Sequence, residues 1–345
     1  MRRHINIPIF IPHLGCPNQC VFCNQKTISG VREFDISTVK QTIDSTLATT
    51  SDEDEVEIAF FGGSFTGIDE NLMVDLLKIA YSYIESGQVH SIRCSTRPDY
   101  IDSHKLQILK KYGVKVIELG LQSSSDSVLK LTKRGHSFSD EKSAADLIVS
   151  SGFSLVGQMM IGLPGSTLEL EIETARFIIS SGAVAARIYP TVVFRDTELY
   201  DMCCIGTYSP IALEEAIERS AKVFSLFLEN NINVIRIGLC ATENLSSPET
   251  YYGGPNHAAL GELVINKYYY DKIIEKTNAL SVREGEALNI AVARGRLSSV
   301  IGQNKNNKIL LTKTLGTRLI SFSESDEISG FDVSVWKESR ENKCT

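Results

Sequence analysis

Short β-branched runs alternate with amphipathic segments through the first two-thirds of the chain, and this alternation restricts the fold more than any other feature. Runs at Ile5–Ile11, Glu57–Phe61, Ser91–Thr96, Val116–Gln122, Leu155–Gly162, Ala186–Val193 and Val234–Leu239 read as strands. Between them, Ser37–Thr49, Asp69–Glu85, Ser103–Tyr112, Asp140–Ser151, Thr167–Ser181 and Leu213–Glu229 carry the apolar spacing of amphipathic helices. Parallel strands need long crossovers, and a helix in each crossover covers the sheet. Six well-marked β/α units therefore predict an α/β fold in the form of a partial (β/α)6 barrel.

After residue 245 the pattern changes. Ser246-Ser247-Pro248 and Gly253-Gly254-Pro255 are turn-rich punctuation, followed by a predicted helix over Ala258–Lys276. Beyond it the order becomes a strand at Leu288–Ala293, helices at Leu297–Ile301 and Asn307–Leu315, and strands at Thr317–Ser323 and Phe331–Trp336. The expected organisation is a barrel over 1–245, a linker and helix over 246–280, and a small α/β module over 281–345. A chain of 345 residues is long enough for a barrel with such an appendage.

A hydrophobic content of 43% excludes a disordered chain, and the formal charge of −7 argues against a surface that grips nucleic acid everywhere. No apolar run is long enough to span a bilayer. Arg2-Arg3 before the apolar Ile5–Ile11 imitates a lipoprotein signal, but Pro8 and Pro12 interrupt it and further cysteines follow at once. The expectation is a cytoplasmic protein with no membrane contact. In a reducing compartment, 8 unevenly spaced cysteines point to metal or redox chemistry before disulfides.

Three of those cysteines, Cys16, Cys20 and Cys23, form a C-x3-C-x2-C cluster directly after the first predicted strand. Three thiolates on one tight loop can hold three irons of a [4Fe–4S] cluster and leave the fourth iron open for chemistry. A structural zinc site is the alternative; it would need a fourth ligand, for which His13 and His4 are nearest. Cys94, Cys203, Cys204, Cys240 and Cys344 read as inert small hydrophobes, with a second metal site at Cys203 or Cys204 as the alternative.

Cys16, Cys20, Phe22 and Cys23 resemble the signature of radical S-adenosylmethionine (SAM) enzymes, and further motifs follow in the order that this family shows. Phe61-Gly62-Gly63-Ser64-Phe65-Thr66 is similar to the family's glycine motif, which contacts the methionine amino group. Arg97-Pro98-Asp99-Tyr100, Leu119-Gly120-Leu121-Gln122-Ser123, Thr132-Lys133-Arg134-Gly135-His136, Ile161-Gly162-Leu163-Pro164-Gly165 and Arg187-Ile188-Tyr189-Pro190-Thr191 come next. Over roughly residues 4–245 the set most resembles the radical domain of the Elongator catalytic subunit. Every motif is expected at a strand's C-terminal end, where a parallel β/α barrel gathers its reactive groups.

The resemblance implies a TIM-like partial barrel, a [4Fe–4S] cluster on Cys16, Cys20 and Cys23, and SAM bound by Phe22, Gly62, Gly63, Ser64, Thr66, Arg97, Gln122, Arg134 and Gln158. Arg134 would pair with the SAM carboxylate, through its fixed fork of donors. Ser95 stands where relatives commonly place a Glu. Tyr189 and Arg187 are candidates for the substrate side. The implied chemistry is reductive cleavage of SAM to a 5′-deoxyadenosyl radical that abstracts hydrogen from substrate. No second cluster motif is visible, so a low-potential donor such as ferredoxin or flavodoxin is expected. The bland alternatives are buried amides satisfied by backbone at Gln122 and Gln158, ion pairs at Arg97 and Arg134, and a core ring at Tyr189.

Elongator-like relatives modify the wobble uridine of transfer RNA, which points the implied function toward RNA modification. The stretch after 245 is too short for an acetyltransferase domain, so the acyl-transfer half of that reaction is not expected. The β-α-α-β-β order and the loop Ile301–Asn307 resemble a KH-type RNA-binding fold, with Lys305 in place of the second glycine of its G-x-x-G loop. Ala287–Ser323 holds Arg294, Arg296, Lys305, Lys308, Lys313 and Arg318 without an acidic residue, a pattern suited to phosphate contact. The alternatives are a barrel-capping appendage, radical modification of a small molecule or peptide, and a non-catalytic iron–sulfur or RNA-binding scaffold.

Overall fold

The computed structural model describes residues 3–11, 14–16, 20–24, 34–239 and 247–338. His13, Cys240, Cys344 and the boundary at 245 lie outside the described residues.

The alternation builds one open parallel sheet. Its strands are β1 (His4–Ile11), β2 (Glu55–Gly62), β3 (Ser91–Thr96), β4 (Val114–Gln122), β5 (Ser154–Ile161), β6 (Ala185–Pro190) and, after the short β7 (Val193–Phe194), β8 (Asn233–Ile237). They pair in the order β1-β2-β3-β4-β5-β6-β8, every pair parallel. The sheet therefore has seven strands, one more than the six well-marked units, because the run at Val234–Leu239 does join the edge of β6. Several crossover helices start on a side chain that satisfies a free N–H of the first turn: Asp69 for Leu72, Asp102 for Lys105, Thr167 for Leu170, and a capping box between Ser137 and Asp140.

One predicted strand divides in two. The run Ala186–Val193 leaves the sheet after Pro190, which has no N–H to donate, and both the amide and the hydroxyl of Thr191 turn to the Ile161 carbonyl at 2.8 Å. Val193–Phe194 instead pairs antiparallel with β9 (Tyr251–Gly253), forming a small ribbon beside the barrel. Short helices at Asp126–Leu131 and Glu198–Cys204 were not predicted; at one turn or two they are too brief to show a period.

Beyond the helix Leu260–Ala279, the module has the predicted order: β10 (Ala287–Ala293), helices Leu297–Ile301 and Asn306–Leu315, β11 (Leu319–Ser325) and β12 (Val333–Lys337). β10 is central, parallel to β11 and antiparallel to β12. The apolar core runs without a break from Ile7 in the barrel to Val333 in the module. Phe224, Tyr268 and Phe331 join the two parts edge to face, at ring separations of 5.3 and 5.1 Å. Among the described residues no helix is long and apolar enough to cross a membrane.

Candidate active site at the mouth of the half-barrel

The cysteine loop leaves β1 and lies on the turn after β2. This contact explains the glycines. A Cβ on Gly63 would stand 2.2 Å from the Leu14 carbonyl oxygen, and one on Gly15, whose φ is +74°, 2.2 Å from that of Ser64. The glycine motif thus lets two backbones interlock at the mouth. Beneath it, the buried hydroxyl of Thr96 meets those of Ser64, at 2.9 Å, and Thr66, while Ser64 accepts from the Arg97 amide at 3.2 Å. Val21 N–H donates to the Thr132 carbonyl, and the Val21 carbonyl accepts from Leu199, so neighbouring segments hold the loop on both sides.

Two guanidiniums converge on one sulfur. Arg134 Nη1 donates to Cys20 Sγ at 3.2 Å and Arg97 Nη1 at 3.7 Å, and both arginines are buried. Arg97 Nη2 also donates to the Arg134 carbonyl, and Arg134 Nη2 to that of Gly120. Asp99 grips Arg97 bidentately at 2.9 and 3.0 Å. Behind it the fully enclosed His136 ring lies 3.6 Å from Asp99 and 3.1 Å from Glu141. Burial alone would raise the Asp99 carboxyl, but hydrogen bonds from His136 and Arg97 hold it well below the usual range. Burial pushes the Glu141 carboxyl up to about 7 against the pull of His136. It also pushes the Cys16 thiol up, opposed by the Ser64 backbone and the charges of Arg97 and Arg134.

Gln122 ends β4 in the left-handed region, with φ 74°, where the register with β5 shifts. A non-glycine residue held there stores strain that the surroundings must fix. Its Oε1 and the Nε of Arg134 are buried without a hydrogen-bond partner among the described residues. Orphaned polar atoms at one mouth are what a bound polar ligand would satisfy. Cys16, Cys20 and Cys23 could supply the thiolate donors of an iron–sulfur site, and two cationic donors on Cys20 suit a metal-bound sulfur. The residues present therefore fit a cluster with SAM beside it. Among the described residues, no three His, Cys, Asp or Glu side chains converge as a site for a single ion.

Below the mouth, the interior face of the sheet carries a ladder of charge. Arg93 donates to Glu57 through Nε at 2.7 Å and to Glu118 through Nη1 at 3.0 Å. Arg187 holds Glu118 with two bonds, at 2.7 and 2.8 Å. Gln158 donates to Glu118 at 2.8 Å and lies 3.4 Å from Ser95; its amide thus belongs to this ladder as the structure stands. Tyr189 lines the same face, and burial pushes its hydroxyl up, opposed by Arg187 and Arg236. Phe22 packs into an apolar patch with Val21, Val193 and Leu199, on which Cys203 also rests. Cys94 is fully buried and Cys204 exposed.

Sequence reasoning missed Glu57, Arg93, Glu118 and Glu141. A signal was present, because Arg93 interrupts the apolar Ile92 and Cys94, and Glu118, Gly120 and Gln122 alternate with Ile117, Leu119 and Leu121. A charge inside a strand covered on both faces needs a partner, and naming the partner requires the register.

The Radical SAM superfamily profile matches residues 10–178, and the Radical_SAM C-terminal domain profile matches 184–270. The chain is 31% identical over 185 residues to the tRNA uridine(34) acetyltransferase of Methanocaldococcus infernus, covering 48% of this chain and 35% of that protein. It is 30% identical over 193 residues to Elongator complex protein 3 of Mus musculus, covering 50% of this chain and 35% of that one. The chain thus spans about a third of the length of these relatives, 35% in each case. Among solved structures, the archaeal Methanocaldococcus infernus Elp3 lacking residues 1–46 superposes with a TM-score of 0.63 at 24% identity, covering 82% of this chain and 66% of that one, and so shares the fold. A parallel half-barrel with this cysteine loop at its mouth, matched by both profiles, belongs to the radical S-adenosylmethionine superfamily.

Proposed function

We propose that this radical SAM enzyme modifies RNA, with transfer RNA as the first substrate to test. The observation that carries its radical half is the mouth: three cysteines on one loop, two arginines on Cys20, and the orphaned atoms of Gln122 and Arg134 above the barrel interior. When bound, the cluster and SAM together supply the radical that removes hydrogen from substrate. Cys16, Cys20 and Cys23 would each hold one iron and leave the fourth for SAM. Arg134 Nε and Gln122 Oε1 would meet polar atoms of SAM, and the Ser64, Thr66 and Thr96 hydroxyls would fix the turn that borders it. Arg97 and Arg134 would stabilise charge on Cys20 sulfur and so favour reduction by an external low-potential donor such as ferredoxin or flavodoxin.

The RNA half is supported by the likeness to tRNA-modifying relatives and by the module's loop. Gly302, Asn304 and Lys305 all take positive φ, at 81°, 53° and 62°, so the loop keeps a glycine-type backbone although Lys305 stands at its end. Arg294 and Arg318 are engaged by Asp326 and Glu338, and Arg296 stacks on Phe331. Lys305, Lys308 and Lys313 have no ion-pair partner among the described residues and are suited to phosphate. Two measurements test the proposal. The reconstituted enzyme should form 5′-deoxyadenosine from SAM under strong reduction, and transfer RNA from cells lacking the gene should lack one modified nucleoside found with it. An unchanged nucleoside profile would sink the RNA half, and absence of cleavage the radical half.

A further inference from the structure

The ladder inside the half-barrel leaves one charge unanswered. Arg187 on β6 and Arg236 on β8 are register partners in adjacent parallel strands, so both project from the same face of the sheet. Tyr189 stands two residues beyond Arg187 along that face; the Arg187 charge acts most strongly on its hydroxyl, and the Arg236 charge acts in the same direction. Arg187 is neutralised by Glu118 at 2.7 and 2.8 Å. Arg236 is half-buried and has no hydrogen bond or ion pair among the described residues.

The carboxylate that Arg187 holds has no acceptor position free. Glu118 already accepts from Arg93, Arg187 and Gln158, and Glu57 from Arg93, Ser91 and His4. Among the described residues the ladder therefore joins Arg93 and Arg187 to Glu57 and Glu118 and leaves Arg236 outside it. A guanidinium partly withdrawn from water with no partner is costly, and its planar fork matches phosphate and carboxylate oxygens. β8 is the edge strand of the sheet, so Arg236 has a neighbouring strand on one side only.

We propose that Arg236, with Tyr189 on the same face of the neighbouring strand, is an anion-binding subsite that anchors a phosphate or carboxylate of the substrate inside the half-barrel. This rests on the interior being the substrate pocket of a radical enzyme, as proposed above. Anchoring there would fix the depth of the substrate below the mouth, the condition for presenting one particular C–H to the radical.

Calorimetric titration of the reconstituted, SAM-saturated enzyme at low ionic strength tests the subsite, with inorganic phosphate, uridine 5′-monophosphate, uridine and succinate as probes. The expected result is that an anionic probe binds about tenfold or more tightly than uridine, some 1.4 kcal/mol. Arg236→Gln should erase that preference without changing SAM affinity, and Arg236→Lys should keep part of it. Preference for the nucleotide assigns the subsite to phosphate; preference for succinate alone assigns it to a carboxylate. Thermal unfolding of Arg236→Gln supplies a second arm: Tm should be no lower than that of the unaltered chain. A clear fall would reveal an intramolecular partner for Arg236 and overturn the proposal. So would equal binding of uridine and every anion, or a preference that survives in Arg236→Gln. An anion preference that holds while the transfer RNA profile is unchanged would leave the subsite standing and remove only the RNA reading.

Discussion

The ladder inside the half-barrel and the clamp at its mouth both bury arginines, but they partner them differently. In the ladder, Arg93 and Arg187 end on carboxylates, and Glu118 is shared between them. At the mouth, Arg97 has one carboxylate behind it, and both arginines reach forward to a sulfur and to backbone carbonyls. Arg134 Nε and Gln122 Oε1 have no partner there among the described residues. A network whose groups are satisfied within the protein holds the scaffold; one whose donors point at a ligand atom and leave neighbours orphaned is prepared for something else.

The comparison is most exposed to a change at Glu118. Glu118→Gln leaves Arg93 and Arg187 short of a buried counter-charge and should cost about 3–5 kcal/mol in denaturant unfolding. A small loss would mean that the ladder is not the scaffold. The next effect concerns the outer end of the clamp. Because Glu141 is raised from 4.5 to about 7, the folded state holds its proton more tightly than the unfolded chain. Stability should therefore be full below the unfolded value and be lost as pH rises toward about 7, by roughly 3 kcal/mol. Glu141→Gln should flatten this slope, and an unaltered pH profile would show that Glu141 does not titrate within the clamp.

Arg134→Gln should reverse the ladder's pattern, with little change in unfolding but about 10–100-fold slower formation of 5′-deoxyadenosine. Equal damage to folding would make the two clusters alike. The smallest effect is expected at Thr96→Val, which leaves the Ser64 and Thr66 hydroxyls one partner short and should cost about 1 kcal/mol in thermal unfolding. If it instead slowed SAM cleavage as much as Arg134→Gln, the hydroxyls would belong to the reacting site and not to its support.

The two clusters were also unequally legible. The mouth could be read because its parts are local strings: Cys16 to Cys23, Phe61 to Thr66, Arg97 to Tyr100 and Thr132 to His136 each carry several functional residues in one short segment. The position of the first three after strands then followed from the alternation alone; the fourth follows the short helix Asp126–Leu131. The ladder could not be read, since Glu57, Arg93, Glu118 and Arg187 come from four different strands. Arg187 could be singled out as a substrate-side candidate, but its commitment to Glu118 is a matter of register across β4, β5 and β6. Gln158 is a similar case: its bond to Glu118 crosses from β5 to β4 and depends on their register. The likeness of Ala186–Val193 to a single strand failed at Pro190, where the chain departs for another sheet.

The sequence by itself determined the parallel α/β architecture, because strand and helix periods alternate and a parallel sheet is the arrangement that accommodates them. It also determined the cysteine loop and its place at the sheet's C-terminal edge. Tertiary structure decided which charges answer one another. Pairing across strands depends on register and on which face each residue takes, and those bring together side chains 25 to 69 positions apart in the chain, from Arg93 on Glu118 to Arg187 on the same carboxylate. It likewise decided that Arg236 is left over, a property of three neighbouring strands that no single segment records.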